Sequence, residues 1–111
     1  MELREIATDV YACLTPDRGL GWSNSGLVNR AGGLVVDTFW DLRHTRDLID
    51  LYRRVAPTPA LRLVNTHHNG DHCWGNQLFR DAEIIGHRRC AESFGFVDST
   101  PTNNAGRAQL R

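Results

Sequence analysis

Thr66-His67-His68-Asn69-Gly70-Asp71-His72 brings three histidines and one aspartate into six residues, and the chain has only two other histidines, His44 and His87. Histidine is the commonest metal-binding side chain, and a carboxylate completes many zinc sites. The stretch follows Leu61-Arg62-Leu63-Val64-Asn65, a short apolar run that reads as a strand. A loop just past a strand end is where α/β folds place their ligands. In locally extended backbone, residues two apart point the same way, so His67 and Asn69 can share one target. Asp71 and His72 are adjacent, and on that backbone they diverge, which suits a second metal or a bent loop. A polar surface loop with chance histidines is the competing explanation, and the flanking pattern argues against it.

Downstream, residues Cys73 to Phe79 are expected to form a short helix. Glu83-Ile84-Ile85-Gly86 should form another strand, and Arg88 to Phe94 another helix. Upstream, Leu48, Ile49, Tyr52 and Val55 recur at helical spacing, with Leu42 and Leu51 widening the stripe. Asp41 is the expected N-cap, and Pro57 and Pro59 the expected terminators. Arg43, Arg46, Asp47, Asp50 and Arg53 read as the solvated face. Before that helix, residues 23 to 30 and Leu34-Val35-Val36-Asp37 form two runs joined by Ala31-Gly32-Gly33, a β-hairpin pattern. Residues 9 to 14 alternate like a further strand, and Thr15 to Gly19 is a turn cluster. The order of hairpin, helix, strand, loop, helix, strand, helix is an α/β layer pattern with helices on a sheet. A domain over residues 1–97 and a polar, disordered tail over 98–111 are expected.

A chain of 111 residues is one domain's worth, and it can bury a modest core. With 41% apolar and 23% charged residues, it is expected to be globular rather than disordered. The 13 basic and 13 acidic residues cancel, leaving no field of one sign to attract nucleic acid or an anionic membrane. Apolar runs such as Gly33-Leu34-Val35-Val36 are too short to span a bilayer. Met1-Glu2-Leu3-Arg4-Glu5 lacks the apolar core of an export signal. Cys13, Cys73 and Cys90 are too few, and odd in number, for a disulfide framework, so a reducing cytoplasm is expected.

Residues 66–72 resemble the T-H-x-H-x-D-H motif of the metallo-β-lactamase superfamily. His67 matches the first histidine, Asp71 the aspartate and His72 the last histidine, with Gly75 at the glycine that often follows. Asn24-Ser25, Leu34-Val35-Val36-Asp37-Thr38, Leu63-Val64-Asn65-Thr66, Gly75-Asn76-Gln77-Leu78-Phe79 and Ala82 to His87 also look like the family's surroundings of that motif. The resemblance covers roughly residues 6 to 95. It implies an α/β fold, the first half of an αββα sandwich with a mixed sheet and helices packed on it. It implies a metal-dependent hydrolase of small molecules, using water activated by one or two ions. Zinc is the default, with iron or manganese as alternatives. His67, Asn69, Asp71 and His72 stand at metal-ligand positions, and Asp71 also orients the nucleophile.

Two departures qualify this. Asn69 stands where the family has its second histidine, and an amide oxygen is a weaker zinc ligand. The family's second half supplies another histidine, a bridging acid and a final histidine, and nothing after residue 95 matches them. The competing expectation is therefore a truncated or degenerate, non-catalytic fragment with weak or no metal binding. Its open sheet edge and apolar face would favour self-association. Among neighbouring residues, Asp37 is expected to support the loop by hydrogen bonding. His68 sits at the motif's variable position. Cys73 is expected as a small buried side chain at a helix start, and His87 as structural. His44 is expected to be solvated. Trp22, Trp40 and Trp74 are expected to pack, with Trp22 and Trp40 near enough to strand ends to line a pocket.

Overall fold

A computed structural model describes residues 1–93. Its centre is the hairpin that the glycines permit. Gly32 and Gly33 adopt φ of 90° and 88°, a region that costs glycine little, and Ala31 precedes them at 51°. They join β3 (Ser25–Val28) to β4 (Leu34–Val36), which pair antiparallel with Leu27 opposite Val35. On one side, β2 (Val10–Leu14) pairs antiparallel with β3, and β1 (Glu2–Ala7) with β2. On the other side, α1 (Leu42–Arg53) leads to β5 (Arg62–Val64), which lies parallel to β4. α2 (Gly70–Cys73) and a 3-10 turn (Asn76–Leu78) lead to β6 (Glu83–Ile85), parallel to β5, and α3 (Arg88–Ser93) follows. The sheet is mixed and runs β1-β2-β3-β4-β5-β6.

Register and alternation put Leu27, Val35, Leu63 and Ile84 in one row across four strands. That row packs under Leu48, Leu51 and Tyr52 of α1, with Cys13 and Phe39 in the same core. The alternate residues Val28, Leu34, Val36 and Val64 line the opposite face and stay half-buried. Among the described residues, no helix is long and apolar enough to cross a membrane.

Three expectations need correction. β1 was not foreseen, because its pattern breaks the period of two: the register shifts between Glu5 and Ala7, leaving Ile6 as a bulge that is 63% exposed. The helix expected over residues 73–79 is instead α2 followed by a separate 3-10 turn, starting three residues earlier than read. α1 ends at Arg53, ahead of the prolines, in a turn where the Ala56 N–H bonds to the Tyr52 carbonyl at 2.9 Å. Asp41 does cap α1, its carboxylate accepting from the His44 backbone N–H at 2.7 Å. The end of the third helix at Phe94 and the 98–111 tail lie outside the described residues.

Gly75 joins the two layers. A Cβ there would run into the Thr45 side chain, which is itself fully buried in α1. Gly75→Ala is therefore expected to destabilise the protein by about 1–3 kcal/mol through overpacking. Urea unfolding of the variant beside wild type measures this, and an unchanged midpoint would show that α1 yields freely.

Candidate metal centre

The loop after β5 is built on a buried aspartate. Asp37 follows β4 directly, is 4% exposed, and adopts a φ of 64°, a conformation that aspartate tolerates better than most residues. Its Oδ1 accepts the Thr66 backbone N–H at 2.8 Å. Its Oδ2 accepts the Thr66 hydroxyl at 2.6 Å and His72 Nδ1 at 2.9 Å. The expectation that Asp37 supports the loop agrees with this geometry.

A second set of bonds fixes the backbone of α2. The His72 carbonyl accepts from the Thr38 N–H at 2.9 Å, and from the Thr38 hydroxyl and the Asn65 amide at 3.2 Å each. The side-chain amides of Asn65 and Asn76 bond reciprocally, at 3.1 and 2.6 Å. The Thr38 hydroxyl accepts the Gly75 N–H at 3.1 Å. Thr38, Asn65 and Asn76 were not foreseen in these roles. Their one sequence signal is a polar residue ending an apolar strand, as at Asn65.

An ionised carboxylate only accepts, so His72 donates from Nδ1 to Asp37, and in the neutral ring this leaves the lone pair on Nε2. Nε2 lies 3.5 Å from Asp71 Oδ2. Two ligand atoms each about 2.0–2.2 Å from a tetrahedral zinc lie roughly 3.3–3.6 Å apart. The pair therefore has the spacing of two donors on one ion. Of the two readings of the adjacent Asp71 and His72, a second metal or a bent loop, the bent loop fits: Gly70–Cys73 is a helical turn and not extended backbone.

His67 is near but differently set. Its ring lies 4.0 Å from that of His72, centre to centre, tilted by 54°. Its Nδ1 accepts the Asn69 N–H at 3.2 Å, so the neutral ring carries its proton on Nε2, opposite to His72. Asn69 occupies the N-cap position of α2, and its exposed side chain makes no capping bond. Among the described residues, no three His, Cys, Asp or Glu side chains are gathered to hold an ion.

The neighbours divide. Cys73 is buried, as expected, but it ends α2 instead of starting a helix, and its thiol donates to the His67 carbonyl at 2.9 Å. His87 is structural: its Nδ1 accepts the Arg89 N–H at 3.1 Å at the start of α3. Trp74 does not pack into the core; it is 64% exposed. His44 is not simply solvated. It is half-buried between Trp22 and Trp40, with its Nδ1 2.8 Å from both oxygens of Asp41.

Burial pushes the Cys13 thiol from 9.0 up to about 11. Burial first, then the neighbouring Cys90, pushes Cys73 up to about 12. Both thiols are neutral in the folded chain up to those values, while the unfolded chain ionises near 9. Unfolding then releases protons, so stability falls as pH rises from about 9 towards 11 and 12. A lower urea midpoint at pH 10 than at pH 8 is expected, and Cys13→Ala should reduce the difference. Equal midpoints would refute the assignment.

Comparison with known proteins agrees with this architecture. The family model of the metallo-beta-lactamase superfamily matches residues 18–104, so the chain belongs to that superfamily. Among solved structures, TMB-1, whose study concerns substrate and inhibitor binding, superimposes with a TM-score of 0.66 at 22% identity. That superposition covers 85% of this chain and 46% of TMB-1, so the chain spans about half of that protein's length. At that identity the likeness shows the fold. No curated protein matches the chain.

Proposed function

We propose that this chain carries the Asp71–His72 part of a metallohydrolase centre acting on a small-molecule substrate. The supporting observation is the line Asp37–His72–Asp71. Asp37 holds the Nδ1–H of His72, and Nε2 is aimed beside the Asp71 carboxylate. That is the carboxylate–histidine arrangement by which proteins orient a metal-bound imidazole. Family membership supports the same chemistry.

Asp71 and His72 would hold the ion. His67 would join it after losing the Asn69 bond and moving its proton to Nδ1, and Asn69 would offer at best its amide oxygen. We take the ion to be zinc, one or two per site, with iron or manganese as alternatives. A bound zinc lowers the pKa of water to about 7. Asp71 would orient water on such an ion, Asp37 would keep His72 in the required tautomer, and the Thr38–Asn65–Asn76 bonds would hold the turn in place. The three free cysteines favour the cytoplasm as its location. The half-buried apolar face of β2 to β5 favours self-association or cover by further protein.

The second reading, a non-catalytic fragment with weak or no metal binding, is favoured by Asn69 and by the lack, among the described residues, of a third gathered donor. Turnover decides between them. Zinc-loaded protein, encoded by the whole reading frame, is tested on lactam, thioester and phosphodiester substrates. Hydrolysis lost on chelation and in Asp71→Asn supports the enzyme; no zinc-dependent turnover on any class supports the second reading.

A further inference from the structure

The segment between β2 and β3 reaches the metal loop by one bond, the Ser23 hydroxyl donating to the Asp71 carbonyl. Two tethers fix this end of the segment: Thr15 donates its hydroxyl to the Ser23 carbonyl at 2.5 Å, and its N–H to Asn24 at 3.0 Å. The residue next to Ser23 is Trp22, whose ring meets His44 edge-on at 5.1 Å between centres. Trp40 also stacks on His44, at 5.7 Å between centres and tilted by only 27°. Gly21 lies against the same Trp40 ring, where a Cβ would sit 3.8 Å from it. Arg18 lies over the Trp22 ring at 5.9 Å. Asp41 holds the imidazole between the rings with both carboxylate oxygens.

We infer that His44 is a positioning residue for Asp71, acting through Trp22 and Ser23. The imidazole belongs to α1, the core helix, so it offers a fixed surface on which the 15–24 segment can settle. Fixing Trp22 places the Ser23 hydroxyl. Placing that hydroxyl satisfies the Asp71 carbonyl, which then holds the turn that aims the Asp71 carboxylate at His72. No part of this needs His44 to touch an ion or a substrate. The inference rests on the proposed centre only for its functional consequence, because the coupling itself exists without metal.

The test is a double-mutant cycle in the full 111-residue chain without metal, read by amide hydrogen exchange of residues 66–75. His44→Ala leaves the backbone cap of α1 intact, since Asp41 accepts the His44 N–H independently of the ring. It is expected to speed exchange in that segment by about tenfold, the size of a lost aromatic contact. His44→Phe keeps a ring between the tryptophans and is expected to restore most of the protection. Ser23→Ala should match the His44→Ala effect, and His44→Ala should add nothing to it. Additive effects of the two substitutions, or unchanged exchange in His44→Ala, would overturn the inference. A separate zinc titration of wild type tests the centre itself. Its failure would remove the functional consequence and leave the exchange result standing.

Discussion

Asp37→Ala is expected to lower the stability of the metal-free protein by about 2–4 kcal/mol: hydrogen bonds to a charged group contribute about 1.5–3 kcal/mol, and alanine at a positive φ adds strain. One buried carboxylate receives three donors, the Thr66 N–H, the Thr66 hydroxyl and His72 Nδ1. Alanine leaves them without that acceptor and also puts a Cβ-only residue at a φ of 64°. Two companion variants separate the causes. Asp37→Gly relieves the backbone strain and still removes the acceptor, so it should recover only the smaller part, about 1 kcal/mol. Asp37→Asn keeps one acceptor oxygen and the tolerance for that φ, so it should fall between alanine and wild type. Urea denaturation of the set measures the order. Full recovery in the glycine variant would mean that strain alone matters and that the hydrogen bonds contribute nothing net.

His72→Ala is expected to weaken zinc binding on the order of a hundredfold or more, since even removal of a group supporting a ligand costs 10–100-fold. Its structural cost should be smaller than that of Asp37→Ala. The backbone carbonyl of His72 keeps its bonds from Thr38 and Asn65, and what is lost is the ring bond to Asp37 with the ring's contacts to Asp71 and His67. The two variants should therefore separate: Asp37→Ala mainly lowers the unfolding midpoint, and His72→Ala mainly lowers affinity. Competition with a chromophoric chelator gives the affinity. Zinc affinity unchanged in His72→Ala would remove His72 from the centre.

Much of the sheet was legible because its strands obey simple periodicity. β2 to β6 and α1 were each readable from alternation, the glycine turn or a helical stripe with an N-cap. β1 was not, because the bulge at Ile6 disguises the alternation and an edge strand buries little. The site was legible as a cluster but not as a geometry. Histidine and aspartate spacing singled out the loop, but it could not choose between extended and bent backbone, and Gly70–Cys73 is the bent one. Asn69 is a favoured N-cap type and Asp71 a favoured first-turn residue, so the signal for a helical turn was there, masked by the motif. That turn decides whether Asp71 and His72 diverge or meet. The amide pair of Asn65 and Asn76 and the contacts of His44 with Trp22, edge-on, and Trp40, stacked, depend on packing across the fold. Composition carries no sign of them. Trp74 marks the opposite error: an aromatic residue that the sequence suggests will pack stands in solvent.

In the proposed centre, Asp37 presets His72 to offer Nε2 to a metal beside Asp71. Histidine ring nitrogens can be followed by nitrogen-15 NMR while zinc is added to the full chain. Before zinc, His72 should be the Nδ1–H tautomer and His67 the Nε2–H tautomer. On adding zinc, the His72 Nε2 signal should shift to a metal-bound value while its Nδ1 keeps its proton, and Asp71→Asn should weaken the effect. Zinc that leaves the His72 ring unperturbed, or that binds through its Nδ1 and breaks the bond to Asp37, would rule out such a centre.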